Sequence, residues 1–110
     1  MITTHVLDIS RGGAAAGVAV LLEAWRDDRW IRVSDGRTDE RGRLMSLTDG
    51  IAVRSGVYRL TFDTGTYQRG QGGTSFFPSV QITFEVQDAN EHFHVPLVIS
   101  PFGYSTYRGI

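Results

Sequence analysis

Residues 80–86, Val-Gln-Ile-Thr-Phe-Glu-Val, alternate apolar and polar side chains without a break. Successive side chains of an extended strand point to opposite faces, so this pattern buries Val80, Ile82, Phe84 and Val86 and leaves Gln81, Thr83 and Glu85 in water. The same period governs residues 57–64, where Tyr58, Leu60 and Phe62 share one face and Arg59, Thr61 and Asp63 the other. No long segment carries the 3.6-residue period of a helix. Further strands are expected over residues 4–10, 18–25, 30–33, 38–47, 94–99 and 104–109. Turns are expected at Arg11-Gly12-Gly13, Asp27-Asp28, Ser34-Asp35-Gly36, Asp39-Glu40-Arg41-Gly42 and Ser100-Pro101-Phe102-Gly103. Residues 65–73, rich in glycine, are expected to hold one short helical turn or a loop. About eight short strands with turns at roughly 8–12-residue spacing predict an all-β, two-sheet sandwich or barrel.

At 110 residues the chain is long enough for one domain, 1–110, which buries roughly 65% of its extended surface without staples. Hydrophobic residues at 41% and charged ones at 21% are ordinary for a globular chain and argue against disorder. The scarce residue types narrow the chemistry further. There is no cysteine, all 11 basic residues are arginine, and there are 3 histidines. Thiol nucleophiles, disulfides, thiolate metal sites, Schiff-base lysines and P-loop lysines are therefore excluded. Acid–base chemistry near neutral pH falls to His5, His92, His94, shifted carboxylates or bound water. A net charge of −1 with dispersed arginines leaves no nucleic-acid footprint. No apolar run approaches the ~20 residues of a membrane span. Residues 1–5 lack a basic region followed by an apolar one, so a cytoplasmic protein without a secretory signal is expected.

The penultimate strand reads His94-Val95-Pro96-Leu97-Val98-Ile99. Proline removes a ladder donor, which predicts an edge strand or a bulge. Val95, Leu97 and Ile99 can point into the core, leaving Pro96 and Val98 beside His94 on an apolar outer face. Such a face is expected to be covered by subunit packing, by a ligand site, or by both. His92 and His94 stand at strand spacing and could join His5 in a three-histidine zinc site with an open position. No acidic partner lies beside them, and His92 is expected to be a solvated turn residue next to Asn90-Glu91. None of the serines lies in a nucleophile elbow. Arg41-Gly42-Arg43 has one glycine where a phosphate cradle needs several. Asp8 and Glu85 show no sign of the pairing that a two-carboxylate glycosidase requires.

Five segments together resemble the 5-hydroxyisourate hydrolases, the transthyretin-related enzymes of purine catabolism. They are His5-Val6-Leu7-Asp8, Thr38-Asp39-Glu40-Arg41-Gly42-Arg43, Ser75-Phe76-Phe77-Pro78, His92-Phe93-His94-Val95-Pro96-Leu97 and residues 100–109, Ser-Pro-Phe-Gly-Tyr-Ser-Thr-Tyr-Arg-Gly. The resemblance runs the length of the chain in order, and the ending Tyr107-Arg108-Gly109 separates the enzymes from transthyretin itself. It implies a transthyretin-like β-sandwich assembled as a homotetramer, with active sites in a channel at the dimer–dimer interface. It also implies that His5, Arg43 and His94 are catalytic and that Ser105, Tyr107, Arg108 and Gly109 contact substrate. No metal or cofactor is implied. The expected reaction is hydrolysis of a cyclic C–N bond of 5-hydroxyisourate, giving 2-oxo-4-hydroxy-4-carboxy-5-ureidoimidazoline. A histidine would activate water and Arg43 would hold the carbonyl and its developing charge. By strand alternation Ser105 and Tyr107 face the channel. One departure stands out, because Ile110 occupies a position where the family has serine. The rival readings are a transthyretin-like carrier using the same channel, a zinc-dependent hydrolase, and a structural sandwich without a site.

Overall fold

The computed structural model describes residues Met1 to Ile110. In chain order it contains β1 (Ile2–Asp8), β2 (Gly13–Ala14), β3 (Ala19–Arg26), β4 (Arg29–Arg37), β5 (Arg43–Leu44), β6 (Gly56–Phe62), α1 (Thr64–Gly70), β7 (Val80–Val86), β8 (Phe93–Ser100) and β9 (Gly103–Thr106). One sheet runs β2-β1-β8-β9, with β5 on β1 beside β2; the other runs β4-β3-β6-β7. All strand pairs are antiparallel except β1 with β8. The inward side chains of both sheets make one contiguous cluster of 19 buried residues, led by Phe62, Ile2, Leu22, Leu60, Leu97 and Ile99. This is the expected two-sheet sandwich with a single short helix.

The alternation read from sequence holds where one face is apolar and the other polar. Tyr58, Leu60 and Phe62 are buried on β6. On β7, Val80 and Val86 are buried, Ile82 and Phe84 pack partly against the core, and the intervening polar residues are exposed. Asp27 and Asp28 form the expected two-residue hairpin between β3 and β4. Both have left-handed φ, 52° and 61°, which suits the twist of paired strands and which aspartate tolerates. The helix begins where the Asp63 carboxylate accepts a hydrogen bond from the Thr66 amide at 3.1 Å.

Three expectations need correction. Ser34-Asp35-Gly36 is not a turn, because β4 continues to Arg37. Leu22 pairs with Ser34 and Glu23 with Arg32, so Val33 is an extra residue absorbed in a bulge. Gly36 serves packing, since a β-carbon there would stand 3.0 Å from Leu44 Cδ1. Most of 38–47 is not strand either. Asp39 captures the local amides, and only Arg43–Leu44 reaches β1. Finally, Pro96 lies on an inner strand, between β1 and β9, not at an edge.

The chain tolerates that proline because of what happens beside it. The Pro96 carbonyl accepts the Thr106 hydroxyl at 2.7 Å, so the position of its missing amide proton also faces β9. There β9 ends. Tyr107 and Arg108 step out of the sheet, and the strand resumes only where the Gly109 amide donates to the His94 carbonyl at 2.8 Å. The strand expected over 104–109 is therefore broken, and the break sits opposite the residue that cannot donate.

Candidate active site

The parallel register of β1 and β8 sets Thr3 opposite His94, His5 opposite Pro96 and Leu7 opposite Val98, all on the outer face of the sheet. On the other side of β1, β5 sets Arg43 opposite His5. Residues His5, Arg43 and His94, far apart in sequence, thus meet on one patch of three neighbouring strands. Ser105, opposite Val98 on β9, lies on the same face.

Each side chain is held by local chemistry. The Asp39 carboxylate accepts from the Arg41 amide at 2.8 Å and from the Arg43 amide at 2.9 Å, and the Asp39 amide donates to the Arg43 carbonyl at 2.8 Å. The Arg43 amide in particular holds the Asp39 carboxyl below its ordinary range. Gly42 makes this turn possible, with φ +75° and only 2.3 Å between an added β-carbon and the Val6 carbonyl oxygen. The result delivers Arg43 to the sheet with its guanidinium exposed and without an ion-pair partner.

His5 donates from Nε2 to the Arg41 carbonyl at 2.8 Å, which leaves Nδ1 with its lone pair free. His94 is bonded the other way round, its Nδ1 2.7 Å from the Thr3 hydroxyl and its Nε2 free of partners within the chain. Its pKa is pushed below the ordinary histidine value, first by burial and then by the charges of His92, His5 and Arg43. His94 is therefore neutral near pH 7, the form that can take a proton. Gly109 crosses this ring closely. A β-carbon at 109 would approach His94 Cδ2 to 2.6 Å and Pro96 Cγ to 3.2 Å, so only glycine fits.

The remaining expected site residues lie elsewhere on the protomer. Tyr107 does not share the face of Ser105, because alternation ends with β9 at Thr106. It lines a cleft of about 270 Å³ at the β7 edge, with Ile82, Phe84, Phe93 and Val95. Arg108 lies over the Phe93 ring, 4.5 Å from its centroid, and reaches Glu91 at 3.4 Å. Ile110 is fully exposed.

Sequence reasoning missed Thr3. His92 is an exposed turn residue, as expected, but its Nε2 is 2.7 Å from the Thr3 hydroxyl that also meets His94. The signal was present in the strand period, which puts Thr3 on the face of His5. The three histidines do not converge as ligands. No group of three His, Asp or Glu side chains in the chain is arranged to hold a metal ion. Nor does any main cleft of the protomer enclose His5, Arg43 or His94; a groove of about 570 Å³ lies on the other sheet around Asp35, Arg37 and Asp63. The catalytic-type groups stand on an open face.

Comparison with known proteins bears on the family and the fold. The model of the HIUase/Transthyretin family matches residues 2–109. A 5-hydroxyisourate hydrolase of Salmonella dublin is 41% identical over 109 residues, spanning 99% of this chain and 80% of that protein. The solved structure of Klebsiella pneumoniae 5-hydroxyisourate hydrolase superposes with a TM-score of 0.87 at 36% identity, covering 99% of this chain and 97% of that one. Sea bream transthyretin, solved in complex with thyroxine, superposes with a TM-score of 0.93 at 30% identity, covering 99% and 94%. The chain belongs to the HIUase/transthyretin family.

Proposed function

We propose that this chain is a 5-hydroxyisourate hydrolase and acts as one domain over residues 1–110. The observation that carries this reading is the grouping of His5, Arg43 and His94 on one face, with a neutral imidazole beside an unpaired guanidinium. In the proposed reaction the Arg43 fork holds the substrate carbonyl and the negative charge that develops on its oxygen. Nε2 of His94 takes a proton from water as the water oxygen adds to the carbonyl carbon. The ring C–N bond then breaks and the imidazolium returns that proton to the leaving nitrogen. General base catalysis of this kind contributes typically about 10²–10⁴-fold. His5, fixed through Nε2, presents Nδ1 as an acceptor for the water or for a substrate N–H.

An open sheet face excludes no water, and small-molecule sites are concave. The reading therefore includes a homotetramer in which a second copy covers this face and forms the walls of the channel. Ser105 and Gly109 would line it directly, and Tyr107 and Arg108 would serve it across the interface. Two observations support assembly. The outer edges of β7 and β9 carry no partner strand. Phe76, Phe77, Phe102 and Tyr104 form an exposed aromatic cluster beside them. No helix is long and apolar enough to cross a membrane; cytoplasmic residence completes the reading, and cell fractionation checks it.

A carrier reading draws on the similarity to sea bream transthyretin, but three ionisable groups around one spot suit a reacting, polar ligand better than a stored one. Arg43→Ala separates the two. The hydrolase reading expects at least a hundredfold loss of 5-hydroxyisourate turnover with the assembly intact. A fully active variant contradicts the role given to Arg43.

A further inference from the structure

The Thr3 hydroxyl stands 2.7 Å from His92 Nε2 and 2.7 Å from His94 Nδ1, while Thr3 itself is completely buried. The two rings lie 6.1 Å apart, too far to bond directly. A hydroxyl has one proton to donate. Two arrangements follow from that single constraint. If Thr3 donates to His94 Nδ1, it accepts from His92 Nε2–H, and His94 carries its proton on Nε2. If Thr3 accepts from His94 Nδ1–H, it donates to His92 Nε2, and the Nε2 of His94 is a free base. The two arrangements differ in the proton positions of both imidazoles, so one hydroxyl links the tautomer of His94 to that of His92.

The geometry points to a proton relay, His94–Thr3–His92, in which Thr3 and His92 are positioning residues for the base. This inference rests on the hydrolase reading for its purpose, although not for its existence. When His94 Nε2 gains a proton, the Nδ1 proton passes to Thr3 Oγ1 and the Thr3 proton passes to His92 Nε2. His94 ends neutral with its proton on Nε2, and the positive charge ends on His92. Reversal returns the proton to the leaving nitrogen, so the relay conserves charge and atoms.

The direction of transfer has a physical cause. A cation on His94 is opposed by burial and by its charged neighbours on adjoining elements, His5 on β1, Arg43 on β5 and His92 in the turn before β8. His92 is exposed on the protomer and has the Glu91 carboxylate next to it in sequence. Arg108 is the opposing charge there; it is 3.4 Å from both Glu91 and the His92 carbonyl. Charge that is disfavoured at His94 is thus carried one residue pair outward, where it is better solvated. The relay also explains the spacing. In His92-Phe93-His94, Phe93 points into the core, and two residues upstream of His5 the strand places a hydroxyl between the two imidazoles.

The test uses histidine-labelled full-length protein, nitrogen spectra and steady-state kinetics together. In the unmodified protein the ring nitrogens of His92 and His94 are expected to titrate as a linked pair. Thr3→Val should uncouple them, lower kcat by about tenfold or more with little change in KM, and move the acid limb of the pH profile. Thr3→Ser should restore both linkage and rate. His92→Asn should reproduce the kinetic loss, and the double variant should be no worse than either single one, because both act through one path. Independent titration of the two histidines in the unmodified protein overturns the relay, as does a Thr3→Val protein with unchanged rate and pH profile. If the unmodified protein hydrolyses nothing, the hydrolase reading falls, and the spectra still decide whether the two imidazoles are linked.

Discussion

At position 109 the space for a side chain is taken by the His94 ring, with 2.6 Å between Cδ2 and the β-carbon that any other residue would bring. The terminal segment can close over the imidazole only as glycine. Gly109→Ala must therefore displace either the ring, which Thr3 holds, or residues 107–110. We expect at least a tenfold fall in turnover, while the urea midpoint shifts by less than about 0.5 kcal/mol equivalent because 109 lies outside the core. A variant that keeps full activity would show that this close approach has no part in the site. Residue-scale roles were unevenly legible. Arg43 stood out from the other arginines only through the motif around it, and the structure supplies the reason in the Asp39 carboxylate that ties its amide. Tyr107 was misplaced because alternation was extended past Pro96, whose lack of an amide proton breaks the ladder beside it. Thr3 was invisible because a threonine in a strand is ordinary until its cross-strand neighbours are known.

At the scale of elements, strands with one apolar and one polar face were readable, and β7 matches its expected limits to the residue. The stretch from β4 to β5 was not. Whether Ser34-Asp35-Gly36 turns or extends depends on pairing with β3, and that information is not local. A second long-range device ties α1 to the end of β1. Asp8, 4% exposed, accepts from Tyr67 at 2.9 Å and from the Ser10 amide and hydroxyl at 3.0 and 2.6 Å, while Arg11 donates to the Tyr67 oxygen at 3.0 Å. Burial opposes the Asp8 charge, but the hydrogen bonds from Ser10 and Tyr67 outweigh it and hold the carboxyl below its ordinary value. With a depressed folded-state pKa, this stabilisation is present above the unfolded value of about 3.9 and is lost as pH falls through the folded one. Tyr67→Phe should cost about 1–3 kcal/mol in urea unfolding at pH 7 and flatten the acid loss below about pH 4. Turnover should be unchanged, since this network lies away from His5, Arg43 and His94. A Tyr67→Phe protein as stable as the parent would remove the network from the account.

For the molecule as a whole, the sandwich presents His5, Arg43 and His94 on one open face and has two bare strand edges flanked by aromatic side chains. In the proposed assembly a second copy completes both. Phe76, 63% exposed, packs against Phe77 and Phe102. Phe76→Asp should give a smaller species by light scattering and should lose turnover in proportion to the loss of assembly. A small, fully active protomer would contradict a site that needs a second copy. The apolar outer face of β8 is expected to be covered from Pro96 and Val98 alone, and a second copy would cover it in the proposed assembly. What would cover it is not legible, because symmetry between copies would leave no mark on the sequence of one.

The central claim is turnover. Freshly generated 5-hydroxyisourate, in at least a hundredfold excess over protein and in the presence of EDTA, should lose its ultraviolet absorbance much faster than in buffer until the substrate is exhausted. The histidine–arginine account predicts many equivalents consumed per chain. Decay at the buffer rate, loss limited to one equivalent, or activity abolished by the chelator would contradict it.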